Sequence, residues 1–130
     1  MAKVYKGVVI KESLINPDRV LASIPVVETF NERVIKAPAS TPWTLTWSKV
    51  DFSIKDEDAD RAAKIFQEVI DPNPKHWPKW YVDFKNERTH YIVYRNKIFK
   101  VNRSNKINYK PAFDHGLALG IPIDQFGIAD

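Results

Sequence analysis

The sequence predicts an α+β fold: a mainly antiparallel sheet of five or six strands carrying two main helices. Three observations predict it. Runs rich in β-branched and aromatic residues recur at 3–12, 26–35 and 43–54. Three more follow between 80 and 103, separated by only two or three residues, and connections that short join antiparallel neighbours. Between the two groups, apolar residues at 59, 62, 63, 66, 69 and 70 keep the three-and-four spacing of one helical face.

In the first strand, 3–12, Val4, Val8, Val9 and Ile10 stand among β-formers, and Asn16-Pro17-Asp18 bounds it. Pro17 suits the first turn of a short helix over 17–24, where its missing N–H costs nothing; Val20, Leu21 and Ile24 then face inward and Pro25 ends it. The second strand, 26–35, leads into a loop at 37–42 that holds Pro38 and Pro42. In 43–54 the apolar parity switches: Trp43, Leu45 and Trp47 share one face, Val50, Phe52 and Ile54 the other. Either a bulge near Ser48 or Lys49 restores one face, or Trp43 and Trp47 lie on an outer face that something else covers.

Asp56 is the expected N-cap of a helix over 56–70, with Glu57, Asp58 and Asp60 in the first turns where the helix dipole favours acids. Their position explains these acids without a metal. Asp71-Pro72-Asn73-Pro74 stops the helix. The meander 80–86, 89–94 and 98–103 follows. A two-residue turn at Glu87-Arg88 sets Phe84 opposite Tyr91 and Val82 opposite Val93. For Phe99 and Val101 to join that apolar face, the next turn is the three-residue loop Arg95-Asn96-Lys97. The other face then carries Tyr81, Asp83, Lys85, His90, Ile92, Tyr94, Ile98, Lys100 and Asn102. A final helix over 105–119 has Tyr109, Phe113 and Leu117 on one side, Gly116 as a cap or kink, and Gly120 and Pro122 as stop signals. Up to residue 86 the element order matches the split βαβ pattern of ferredoxin-like folds, here extended by two strands and a helix.

At 130 residues the chain is expected to be a single domain, 1–130. Its 44% hydrophobic and 28% charged residues suit a soluble protein, and no apolar run approaches the roughly 20 residues of a membrane span. The N-terminus shows no signal-peptide pattern, so a cytoplasmic location is expected. With no cysteine, disulfides, thiolate catalysis and thiolate metal sites are excluded. The glycines, at 7, 116, 120 and 127, allow neither a phosphate loop nor a dinucleotide fingerprint, and no hydrolase elbow is present. No cofactor is expected. His76, His90 and His115 lack the close spacing of a metal motif, so no metal is expected either.

The strings Trp80-Tyr81-Val82-Asp83-Phe84-Lys85-Asn86, His90-Tyr91-Ile92-Val93, Lys97-Ile98-Phe99-Lys100-Val101-Asn102-Arg103 and Leu119-Gly120-Ile121-Pro122 resemble those of small, functionally uncharacterised prokaryotic proteins of about this length. The resemblance implies a stand-alone prokaryotic domain. That group brings no activity, so no functional residue is carried over.

Residues 75–110 hold ten Lys or Arg against two acids, Asp83 and Glu87, interleaved with eight aromatics, while the whole chain is only +4. Basic charge beside rings is the composition of an anion-binding surface with stacking platforms. Three functional readings follow. The leading one is a non-catalytic binding or interaction module: Trp43, Trp47, Tyr81, Ile92 and Tyr94 are covered by a protein partner or by self-association. In the second, single-stranded nucleic acid or another polyanion stacks on Tyr81 and Tyr94, with Lys85, Arg95, Lys97, Lys100 and Arg103 on phosphates and Trp77 as a loop anchor. In the third, Asp83, His90 and Lys100 converge on the sheet face for acid–base chemistry on a small molecule.

Overall fold

The computed structural model describes residues 4–17, 27–37, 45–70 and 80–119. They form one antiparallel sheet of six strands: β1 (Val4–Ile10), β2 (Val27–Lys36), β3 (Thr46–Lys55), β4 (Tyr81–Lys85), β5 (Thr89–Tyr94) and β6 (Lys97–Asn102). Two helices accompany them, α1 (Ala59–Val69) and α2 (Lys110–Ala118). The spatial order is β2-β3-β1-β4-β5-β6. Read from β4 to β2 this is the strand order of a ferredoxin-like sheet, with β5 and β6 added beyond β4. The helix expected at 17–24 lies outside the described residues from 18 onward, as does Trp43.

α1 covers one face. Ala59, Ala62 and Ala63 bring its backbone close to the sheet, and the Phe66 ring enters between Phe52 and Phe84, at 5.3 and 6.3 Å. Burying that phenyl group contributes about 2–3 kcal/mol. Tyr5, Val9, Val50, Ile54, Val82, Tyr91 and Val93 complete this first core. Asp56 does not cap α1: Asp56–Asp58 form a 3-10 turn ahead of it, and Asp58 stands at the N-cap without a side-chain capping bond. At the other end the Arg95 guanidinium donates to the carbonyls of Glu68 and Ile70, which supplies the cap the sequence lacks there.

α2 covers part of the opposite face, over β4 to β6. Its core holds Ile92, Tyr94, Val101, Tyr109 and Ala112, with Tyr81, Phe99 and Phe113 packed at the margin. Leu117, expected inward with Tyr109 and Phe113, is exposed, and Gly116 is the buried residue of that turn.

One of the two readings of 43–54, the bulge near Ser48 or Lys49, is removed, and one turn length is corrected. β3 pairs without interruption from Thr46 to Lys55; the bulge sits on its partner β2, between Phe30 and Glu32, where Asn31 adopts φ 45°. Asparagine tolerates that left-handed conformation better than most residues, and an asparagine in a β-branched run was the available signal. The β5–β6 turn is two residues long, Arg95-Asn96, because Tyr94 pairs with Lys97. That shift of one residue moves Ile98 and Lys100 to the α1 face and sends Phe99 and Val101 beneath α2. Lys100 then lies 3.6 Å from Asp60 on α1 and over the Tyr91 ring. The Tyr91 hydroxyl donates to the Asp60 carboxylate and, with Lys100 adding to it, holds that acid below its ordinary value.

His115, in the last turn of α2, packs against Tyr94 and Phe99 at 4.9 and 5.4 Å, and its Nε2–H donates to Asn96 at 3.0 Å. A helix C-terminus favours the cation, yet burial, then the charge of Lys97, lowers this pKa below 6.5. The unfolded chain therefore binds more protons, so the contribution is complete above pH 6.5 and lost as pH falls through the folded value. Urea midpoints at about pH 5 and about pH 7.5 are expected to differ, the higher-pH one being larger, and His115→Phe to reduce the difference.

Candidate functional site: the open half of the sheet

α2 reaches only β4 to β6, and among the described residues no other element covers the same face of β2, β3, β1 and the outer side of β4. A groove of about 450 Å³ lies there, lined by Lys6, Val8, Phe30, Asp51, Asp83 and Lys85 over a floor of Gly7 and Phe52. Strand alternation sets the lining. Lys6 pairs with Lys85 across β1 and β4, and Phe30 pairs with Asp51 across β2 and β3. Gly7 makes the floor possible. A Cβ built on it would stand 2.5 Å from the Asp83 carbonyl oxygen and 2.7 Å from Phe52 Cζ, so this central strand position admits no side chain.

The groove's acids are engaged; among the described residues its bases are not. Arg33 holds Asp51 with two hydrogen bonds of 3.0 and 3.3 Å. Asp83 accepts from His90 Nε2 at 2.8 Å, and His90 Nδ1 meets the Tyr109 hydroxyl at 3.0 Å. A carboxylate only accepts, so Nε2 carries the proton, and in the neutral ring Nδ1 accepts from Tyr109. His90 is fully buried, whereas the Asp83 side chain is 30% exposed. The histidine thus positions the carboxylate from behind. Among the described residues, neither Lys6 nor Lys85 has a carboxylate within ion-pair distance, although like charges directly opposite in a ladder repel. Around them Val4, Val8 and Phe30 are 40–45% exposed.

The other expected site residues scatter. Asp83 and His90 meet as expected, but Lys100 is on the opposite face, so the three-residue acid–base set is not assembled. Tyr81 and Tyr94 are cross-strand neighbours with rings 5.9 Å apart. Tyr94, however, is fully buried beneath α2, its hydroxyl donating to the Ala112 carbonyl at 2.8 Å and its pKa pushed up by that burial. It offers no face for stacking. Ile92, expected beneath a partner, is covered by the chain's own second core. Arg95 caps α1, Lys97 lies 5.2 Å over the Phe99 ring, and Arg103 donates to the Asn86 carbonyl at 2.5 Å. Trp47 is half-buried, with its ring 5.9 Å from that of Trp80, and Trp77 lies outside the described residues. The described cations of 85–110 therefore occupy several surfaces and do not form one patch.

Lys6, Val8, Phe30 and Asp51 were not singled out from the sequence; the unused signal was the second parity of the first three strands. Tyr109, expected on one side of the final helix with Phe113 and Leu117, is core and also fixes His90. Among the described residues no group of His, Asp and Glu is placed to hold a metal, and no helix is long and apolar enough to cross a membrane. Compared with family models, curated proteins and solved structures, the chain matches none.

Proposed function

We propose that this chain is a non-catalytic interaction module whose open half-sheet docks face to face on a second copy of itself. The observation that carries the reading is the Lys6–Lys85 couple, which has no carboxylate partner among the described residues, beside exposed Val4, Val8 and Phe30. The face is self-complementary. Lys85 and Asp83 stand two residues apart on β4, about 6.6 Å along one face. A two-fold axis running between them, across the strands, sets each lysine against the aspartate of the other copy, and the same operation lays the Lys6 stem on Val8. Four strands at about 4.8 Å spacing, with about seven residues each, present roughly 400 Å² per copy. That is the small end of specific interfaces, so the association is weak and reversible.

The stacking reading loses Tyr94 to burial and the acid–base reading loses Lys100 to the opposite face, which leaves self-association the better supported. Sedimentation velocity across a concentration series tests it. A salt-weakened monomer–dimer equilibrium is expected, abolished by Val8→Lys and unaffected by Val34→Lys on the other face of β2. A strict monomer, or a dimer dispersed by Val34→Lys and not by Val8→Lys, overturns it; a monomer that binds an acidic peptide in the groove gives the face to another protein.

A further inference from the structure

At the end of the sheet remote from β2, two turns lie side by side: Glu87-Arg88 between β4 and β5, and Arg103-Ser104 after β6. The Arg103 N–H donates to the Arg88 carbonyl at 2.8 Å and ties them together. Each turn is also locked by its own asparagine. Asn86 Oδ1 accepts from the N–H groups of Arg88 and Thr89 at 2.9 and 2.8 Å, and Asn102 Oδ1 accepts from Ser104 N–H at 2.9 Å. Between them is a cleft of about 640 Å³ whose lining includes Arg88, Lys100 and Arg103 with a single acid, Glu87. The cations come from two segments of the chain, and the two turns hold the backbones of Arg88 and Arg103 fixed.

We propose that this cleft binds the phosphate group of a small phosphorylated molecule. A guanidinium presents two parallel N–H groups that match phosphate oxygens, and an ammonium adds a point charge. Arg88 is exposed and has no ion-pair partner among the described residues, and Arg103 is oriented by the Asn86 carbonyl. Lys100 reaches the rim from β6, its exposed ammonium 3.6 Å from Asp60 and over the Tyr91 ring. Thr89, Asn102 and Ser104 supply neutral donors along the wall. The volume falls in the range of small-ligand sites and exceeds what one phosphate fills, so the ligand carries an organic part, for whose hydroxyl groups Glu87 is the available acceptor. The site shares no lining residue with the open half-sheet and stands whether or not the chain dimerises.

Amide NMR titrations with pyrophosphate, a nucleoside triphosphate and a short single-stranded oligoribonucleotide test the assignment. Saturable shifts confined to 86–89 and 102–104 are expected with the first two, weakening as salt rises. Arg88→Glu and Lys100→Glu, both exposed positions whose spectra report folding directly, are each expected to weaken binding at least roughly tenfold. Arg103 also supports the turn, so it is not the test position. Absence of saturable shifts at low salt overturns the proposal, as does binding unchanged by Arg88→Glu. Tighter binding of the oligonucleotide, with shifts spreading beyond the two turns, assigns the surface to nucleic acid and overturns the small-ligand reading.

Discussion

Gly7→Ala is expected to be the most destabilising single-methyl change in the described sheet. The added Cβ would meet the Asp83 carbonyl oxygen at 2.5 Å and Phe52 Cζ at 2.7 Å. The phenyl ring can move only against Phe66 and Phe84, 5.3 and 6.1 Å from it, and the carbonyl belongs to the neighbouring strand. Relief therefore requires β1 and β4 to separate. Overpacking of this kind costs about 3 kcal/mol, the upper part of its usual range, and a fall in Tm of roughly 10 °C. A Gly7→Ala protein melting with the wild type shows that the strands yield freely, against this account of the groove floor.

Replacing His90 is the second large effect. His90→Leu keeps the volume but removes the partner of two groups, the Asp83 carboxylate and the Tyr109 hydroxyl. Asp83 can take water from the groove; Tyr109 is buried, and its hydroxyl loses its histidine partner. An unsatisfied buried group costs about 1–3 kcal/mol, so a loss of about 2 kcal/mol is expected. Tyr109→Phe in the same chain removes that penalty, so the double variant should be more stable than the sum of the two single losses predicts. Urea unfolding of all four proteins measures the coupling. Strict additivity means that the three side chains do not act as a unit.

The fold was legible because its signals are redundant. Runs of β-branched and aromatic residues located all six strands, the spacing of Ala59 to Ile70 located α1, and the two-residue turn at Glu87-Arg88 fixed Phe84 against Tyr91 and Val82 against Val93, as the ladder has them. The failure that mattered for the site was one turn length. Arg95-Asn96 and Arg95-Asn96-Lys97 are both acceptable turns, and the composition of β6 does not choose between them: Ile98 and Phe99 are both apolar, and each finds a core, one under α1 and the other under α2. A strand sandwiched between two helices loses the one-sided pattern that fixes register.

That single residue decided the candidate site. It took Lys100 away from Asp83 and His90. The extent of α2 decided the rest: a nine-residue helix spans about 14 Å and hides Tyr94 without reaching β1 to β3 on that face. No local sequence signal says how far across a sheet a terminal helix will lie. The Lys6–Lys85 couple was invisible for a related reason, since the two residues are 79 positions apart and meet only because β4 joins β1 in the sheet.

Amide chemical shifts followed through a dilution series test the docking face most directly, because they report residue by residue which surface a second copy touches. Concentration-dependent shifts are predicted at Lys6, Val8, Phe30, Asp51, Asp83 and Lys85, with α1 unchanged. Shifts that instead trace α1, or the outer edge of β2 on both its faces, contradict it.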